Sequence, residues 1–300
     1  MKMKQFNNLV KLNQKELKKF VNQQLRKSYK AVYCEDGFVY AQGSKPILLV
    51  AHMDTVHKTT PKMIIYQDGK ISSPQGIGGD DRCGIAMILE IIQHHNCSVL
   101  FTEDEEIGGI GAEKFVNSKL GQSLVSAFDF ILEFDRKGSC DAVFYDCGNE
   151  EFEEFINQKY FKTNFGSFSD ISVIAPALKV AAVNLSCGYY EAHTLKEYVV
   201  WDEMLRITKE AIALIDRADG TKFEYIEDAY WNWYDDDYAY YDIIGDQMYG
   251  VEKIWGISFE YKGDIGFSEV YAITKDEAIG KFLKRYDDLT YRHILDVSEF

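Results

Sequence analysis

Residues 47–54 read Ile-Leu-Leu-Val-Ala-His-Met-Asp, and this stretch decides the fold. Five continuous apolar residues are short for a helix and fit a strand buried on both faces, as in a parallel sheet covered by helices. The run stops at a histidine and an aspartate, so chemistry-bearing side chains stand at the strand's carboxyl end. In a doubly wound α/β sheet, that edge is where segments distant in sequence converge on a site.

Outward from this strand the pattern alternates. Downstream, Ser98–Thr102, Phe128–Phe134, Ala142–Tyr145 and Val180–Ser186 read as strands, and residues 84–95, 112–120, 150–161, 168–176 and 201–217 as helices. Met63–Tyr66 and Lys70–Ser72 flank Asp68-Gly69 as a hairpin. Upstream, the spacing of Val10, Leu12, Leu17, Phe20, Val21 and Leu25 predicts one helix over 7–27, followed by strands Ala31–Cys34 and Phe38–Ala41. Strands alternating with helices imply a mostly parallel central sheet with helices on both faces.

The pattern changes near residue 218. Residues 221–300 hold 19 aromatic side chains and carry 8 basic against 18 acidic groups. We therefore divide the chain into a larger α/β domain, 1–217, and a small aromatic-rich acidic α+β domain, 218–300. The second would be built on strands Ile254–Tyr261 and Gly266–Thr274 and a helix from Asp276. The run Trp231–Asp242 reads first as this domain's own aromatic core with a solvated acidic loop, and second as a cover or contact surface.

Composition excludes several classes. At 46% apolar and 27% charged the chain is globular, not disordered. Net charge is −15, and the first 30 residues alone carry nine basic side chains against Glu16, leaving −23 on the rest. So acidic a body repels phosphate backbones, which excludes nucleic acid as a partner. No run approaches the roughly 20 apolar residues of a membrane span. The N-terminus lacks an apolar signal core, and six scattered cysteines are expected as reduced thiols in a cytoplasmic protein.

Five motifs stand just beyond expected strand ends: His52-Met53-Asp54, Gly78-Gly79-Asp80-Asp81, Glu105-Glu106, Asp135 and His193. Two histidines among several carboxylates suit a hydrolytic metal site with an open water position. Such donors accept zinc, cobalt or manganese.

In this order, with TEDEEIGGIGA at 102–112 and EAHTLKEY at 191–198, the motifs resemble the co-catalytic zinc exopeptidases. That group includes peptidase T, the carboxypeptidase G-like enzymes and the lidless zinc aminopeptidases. The resemblance covers roughly residues 45–215 and implies a zinc exopeptidase-like (phosphorylase/hydrolase-type) fold binding two zinc ions. It makes Asp80 the bridging ligand, joined to Asp81 by a cis peptide. His52 and Asp135 would complete one zinc, Glu106 and His193 the other. Asp54 would orient His52 through its second ring nitrogen, and Glu105 would be the general base acting on a metal-activated water.

Only 57 residues separate Asp135 from His193, so the inserted lid of the peptidase T and carboxypeptidase branches is missing. The lid supplies groups that hold a substrate carboxylate, so its loss argues against carboxypeptidase-like selectivity. The expectation is an aminopeptidase or di/tripeptidase acting on short peptides. A deacylase of N-acyl amino acids, or a non-catalytic binding protein on the same fold, are the alternatives. Glu191 and Glu133 are candidates for holding a substrate ammonium, and Tyr189 and Tyr190 for an oxyanion. His57 reads as a surface residue, His94 and His95 as a helix end, and Cys83 and Cys187 as packing. Whether the chain forms a homo-oligomer is left open.

Overall fold

The computed structural model describes residues 2–145, 147–166, 168–226, 253–261, 264–272, 275–283 and 293–299. In chain order the elements are α1 (Met3–Leu9), α2 (Gln14–Ser28), β1 (Val32–Glu35), β2 (Phe38–Ala41), β3 (Lys45–His52), β4 (Ile65–Gln67), β5 (Lys70–Ser72) and α3 (Gly79–Ile91). Then come β6 (Cys97–Thr102), α4 (Ile110–Asn117), α5 (Lys119–Ser123), β7 (Phe130–Arg136), β8 (Asp141–Val143), α6 (Glu150–Asn157) and β9 (Lys162–Thr163). They are followed by α7 (Ile171–Leu178), β10 (Ala182–Ser186), β11 (Tyr189–Tyr190), β12 (Tyr198–Val200) and α8 (Trp201–Ala218).

The main sheet has eight strands in the order β1-β2-β6-β3-β7-β10-β8-β9. Its four central strands, β6, β3, β7 and β10, run parallel. The apolar run of β3 shows why. Leu49 and Ala51 face one core, shared with Phe101, Leu132, α3 and α8. Leu48 and Val50 face the other, shared with Leu100, Ile131, α4 and α7. Alternate residues thus bury on opposite faces. Both faces are covered by helices, as expected.

Several boundaries differ from the sequence reading. The single helix predicted over 7–27 is two helices. Asn13 accepts from the Glu16 backbone N–H at 3.0 Å while the Glu16 carboxylate accepts from Asn13 at 3.1 Å, a capping box that starts α2 afresh. Helix α3 begins at Gly79 and ends at Ile91, so His94 and His95 lie beyond it. A second sheet, β11-β12-β5-β4, joins the expected hairpin to two short strands that no local pattern announced.

The chain divides into two compact units, one of residues 1–164 and 168–227, the other of 165–167 and 228–300. Within the first unit the Phe223 ring packs 4.8 Å from that of Phe152 and 5.0 Å from that of Phe155. In the second unit β13 (Lys253–Tyr261) pairs antiparallel with β14 (Asp264–Ala272) and β15 (Ile294–Glu299), the last unforeseen, beside α9 (Lys275–Leu283). Trp255, Ile257, Val270, Ala278 and Phe282 form its core. The run Trp231–Asp242 lies outside the described residues. Among the described residues no helix is long and apolar enough to cross a membrane, and all six cysteines are free thiols.

Candidate metal centre

The carboxyl ends of β3, β6, β7 and β10 bring the motifs together. At the end of β3, His52 is fully buried. Its Nδ1 lies 3.1 Å from Asp54 Oδ1, and its Nε2 lies 3.0 Å from Asp80 Oδ1 and 3.2 Å from Asp135 Oδ1. The Asp54 carboxylate also accepts the backbone N–H groups of Glu105 (3.1 Å) and Glu106 (3.0 Å). One aspartate thus fixes the His52 ring and the 3₁₀ turn Glu105–Ile107 after β6.

Asp80 follows Gly78 at the start of α3, and the Asp80–Asp81 peptide is cis, as the family resemblance implies. Asp81 points the other way. It accepts from Gly84 N–H at 2.9 Å and His52 N–H at 3.3 Å, and so ties the strand end to the helix start. His193 sits in a left-handed backbone conformation (φ 63°) after β11. Its Nε2 lies 3.2 Å from Asp80 Oδ2 and 3.0 Å from Glu106 Oε2, with 57% of the side chain exposed.

Two donor sets result, His52/Asp80/Asp135 and Asp80/Glu106/His193. In each, the donor atoms lie within 4.8 Å of one another. They share Asp80, whose two oxygens face opposite sets. The electrostatics are those of a centre built for cations. Burial pushes the Asp135 carboxyl up to about 6, and burial beside Asp135 pushes Glu105 well above the usual range. Burial also works against ionised Asp80, but hydrogen bonds from His193 and His52 outweigh it and hold that carboxyl low. The same hydrogen bonds, with Asp80 and Glu106, push His193 up to about 10. Glu106 Oε1 is buried with no hydrogen-bond partner. Orphaned oxygen, crowded carboxylates and two inward imidazoles fit a pair of divalent cations. The Glu105 carboxylate makes no hydrogen bond with any described residue.

Other sequence candidates are placed elsewhere. Tyr189 is buried, and its hydroxyl donates to the Asp135 carbonyl at 2.9 Å. It props the end of β7 that carries Asp135 and is not an open phenol. Tyr190 hydrogen-bonds Glu203 at 2.5 Å and stacks on Tyr198. Glu133 is buried, accepting from Ser169 Oγ at 2.6 Å, with burial pushing its carboxyl well up. It offers no anionic pocket for an ammonium group. Glu191 is exposed and belongs to neither donor set. His57 is not a surface residue: its side chain is 6% exposed and its Nε2 lies 2.7 Å from Glu197 Oε2.

Glu197 itself was missed. Its side chain has no exposed surface. Its Oε1 accepts from Asp80 N–H at 2.9 Å and its Oε2 from Gly78 N–H at 2.9 Å. It stands four residues after His193, so one carboxylate links the His57, Asp80 and His193 loops. Arg82, also buried, donates to the carbonyls of Met53 and Asp54, both at 3.0 Å. Ser169 Oγ also lies 2.9 Å from Asp135 Oδ2, and Asn184 Oδ1 accepts the Asp135 backbone N–H at 2.9 Å. Spacing from His193 was the one sequence signal for Glu197. The others had none.

Residues 39–175 match the peptidase family M28. In structure the chain is similar to an aminopeptidase PepT from Bacillus cereus (15% identity, 72% of this chain and 97% of that one, TM-score 0.58). It is also similar to a Staphylococcus aureus tripeptidase (14%, 71% and 96%, TM-score 0.59). A third is the Pyrococcus horikoshii TET1 peptidase, which can assemble into a tetrahedron or a large octahedral shell (13%, 71% and 98%, TM-score 0.52). No curated protein matches the sequence. The family match agrees with the resemblance read from the motifs.

Proposed function

Starting from a peptidase M28 domain, and hence a metallopeptidase of the exopeptidase kind, we propose an aminopeptidase or di/tripeptidase that hydrolyses short peptides at two zinc ions. The observation that carries this reading is the pair of donor sets sharing Asp80. His52, Asp80 and Asp135 would hold one ion, and Asp80, Glu106 and His193 the other. Bound there, the ions supply a lowered water pKa and polarisation of the scissile carbonyl.

The chain's own groups do the rest. Glu105 is the base that takes the proton from water and hands it to the leaving amine. Its carboxylate makes no hydrogen bond with any described residue, and burial beside Asp135 raises its proton affinity. Glu106 cannot replace it, because its carboxylate belongs to the second donor set with Asp80 and His193. Asp54 accepts from His52 Nδ1, leaving the Nε2 lone pair for the ion that Asp80 and Asp135 would also hold.

The test is mass spectrometry of a short-peptide mixture incubated with zinc-loaded protein, with Glu105→Ala as control. Stepwise loss from the N-terminus, absent in the variant, is the expected result. Trimming from the C-terminus, or cleavage of N-acyl amino acids alone, would overturn the aminopeptidase reading in favour of a carboxypeptidase or a deacylase. Six free thiols support a reducing, cytoplasmic setting. The assembly of the Pyrococcus horikoshii neighbour supports including a homo-oligomer, which light scattering on purified protein tests.

A further inference from the structure

A cavity of about 460 Å³ opens beside His193, a volume within the range of small-ligand sites. Its walls include Val56, Lys58, Thr59, Pro74 and Leu195, and His193 itself belongs to both cavity and donor set. The cavity is therefore contiguous with the metal centre but has the opposite electrostatic character. Among the described residues no carboxylate lines it, whereas the donor sets alongside hold Asp80, Glu106 and Asp135. Lys58 is exposed, and its ammonium makes no ion pair or hydrogen bond with any described residue. Lys18 and Lys114, by contrast, are engaged by Glu103 and Asp36. The wall behind Lys58 is firm. The His57 ring is held by Glu197, and a Cβ added at Gly76 would fall 2.2 Å from it.

We propose that Lys58 binds the C-terminal carboxylate of the substrate, so that the enzyme selects short peptides ending in this cavity. The inference rests on the peptidase reading above and adds the substrate end that the site recognises. A peptide advances at most about 3.5 Å per residue. A carboxylate one or two residues beyond the scissile bond therefore lies within about 7 Å of it, a reach that suits a cavity beginning at His193. There the cation is unpaired and the walls at Val56, Pro74 and Leu195 are apolar, suited to the last side chain. Longer peptides place neutral amides in the same space and gain no ion pair.

The experiment compares the tripeptide Leu-Gly-Gly with its C-terminal amide, on zinc-loaded wild type, Lys58→Gln and Lys58→Arg. The wild type should favour the free acid roughly two- to fivefold in kcat/KM, through KM, as an exposed ion pair allows. Lys58→Gln should bring the ratio near one by weakening the acid alone, and Lys58→Arg should restore it. In parallel, zinc-loaded Glu105→Gln is titrated calorimetrically with both peptides, so that binding is read without turnover. The same Lys58-dependent ratio in Kd, with neither peptide cleaved by the wild type, would uphold the carboxylate subsite and refute the peptidase reading. Equal affinity for acid and amide, a ratio untouched by Lys58→Gln, or no binding of either peptide overturns the subsite.

Discussion

Replacing Glu197 by glutamine removes one charge and almost no volume, which makes it a sharp test of how the centre is held. The carboxylate receives three donors, from Asp80 and Gly78 backbone N–H groups at 2.9 Å and from His57 at 2.7 Å, with no exposed surface. An amide keeps one acceptor oxygen. Its NH₂ then faces at least one buried backbone N–H, and a buried donor left unsatisfied costs about 1–3 kcal/mol, more where the lost partner was charged. With His57 weakened as well, the sum is about 2–4 kcal/mol. In a unit of this size that lowers Tm by roughly 5–15 °C. Because Asp80 is the shared donor, zinc affinity should fall about 10- to 100-fold. Thermal unfolding in chelator and in excess zinc, with competition against a fluorescent zinc chelator, reads both effects. Exposed Glu191→Gln is the matched control and should change neither. If Glu197→Gln lost the same Tm with and without zinc and kept wild-type zinc affinity, Glu197 would be only a structural support and the reasoning would be refuted.

Three further outcomes follow from the geometry. Tyr189→Phe should cost about 1 kcal/mol of stability and leave kcat within a few-fold, because the hydroxyl serves the Asp135 carbonyl; a 100-fold loss of kcat would return it to an oxyanion role. Asp80→Ala should reduce bound zinc, measured by plasma mass spectrometry after desalting, whereas Glu105→Ala should keep it; zinc loss in Glu105→Ala would contradict its role as a free base. Burial pushes Asp170 from 3.8 up to about 7 against a hydrogen bond from Thr102. The folded, metal-free protein thus retains a proton that the unfolded chain releases, giving stability that is full below about pH 4 and lost as pH rises toward 7. In chelator, the Tm of Asp170→Asn should decline less over that window than the wild type's, and parallel curves would show that Asp170 is not the group.

What the sequence disclosed follows from what is local. The run at 47–51 shows a strand buried on both faces because both faces need apolar side chains. The motifs of His52, Asp80, Glu106, Asp135 and His193 stood out because they follow strand-like runs, their ligand roles came from the family resemblance, and the structure brings their donor atoms together. Glu197, Ser169 and Asn184 were not, because each matters only through a partner many residues away and polar residues carry no periodicity of their own. The same blindness put Tyr189 on the substrate side. Its neighbours in sequence suggested a cleft, and only the fold shows its hydroxyl turned to Asp135. Strands β11 and β12 escaped because two or three residues are too few for alternation to register.

The two halves of the centre are unequally shielded. His52 is sealed beneath the sheet edge, while His193, on a loop in a left-handed conformation, leaves over half its side chain to solvent. Ions held in the two halves would then exchange at different rates, the one at His193 leaving first on dilution. The enzyme would pass through a singly loaded form, and its working fraction in a cell would follow the free concentration of the more loosely held ion. A biphasic loss of metal during chelation, slowed in its fast phase by bound peptide, is the kinetic trace of that arrangement.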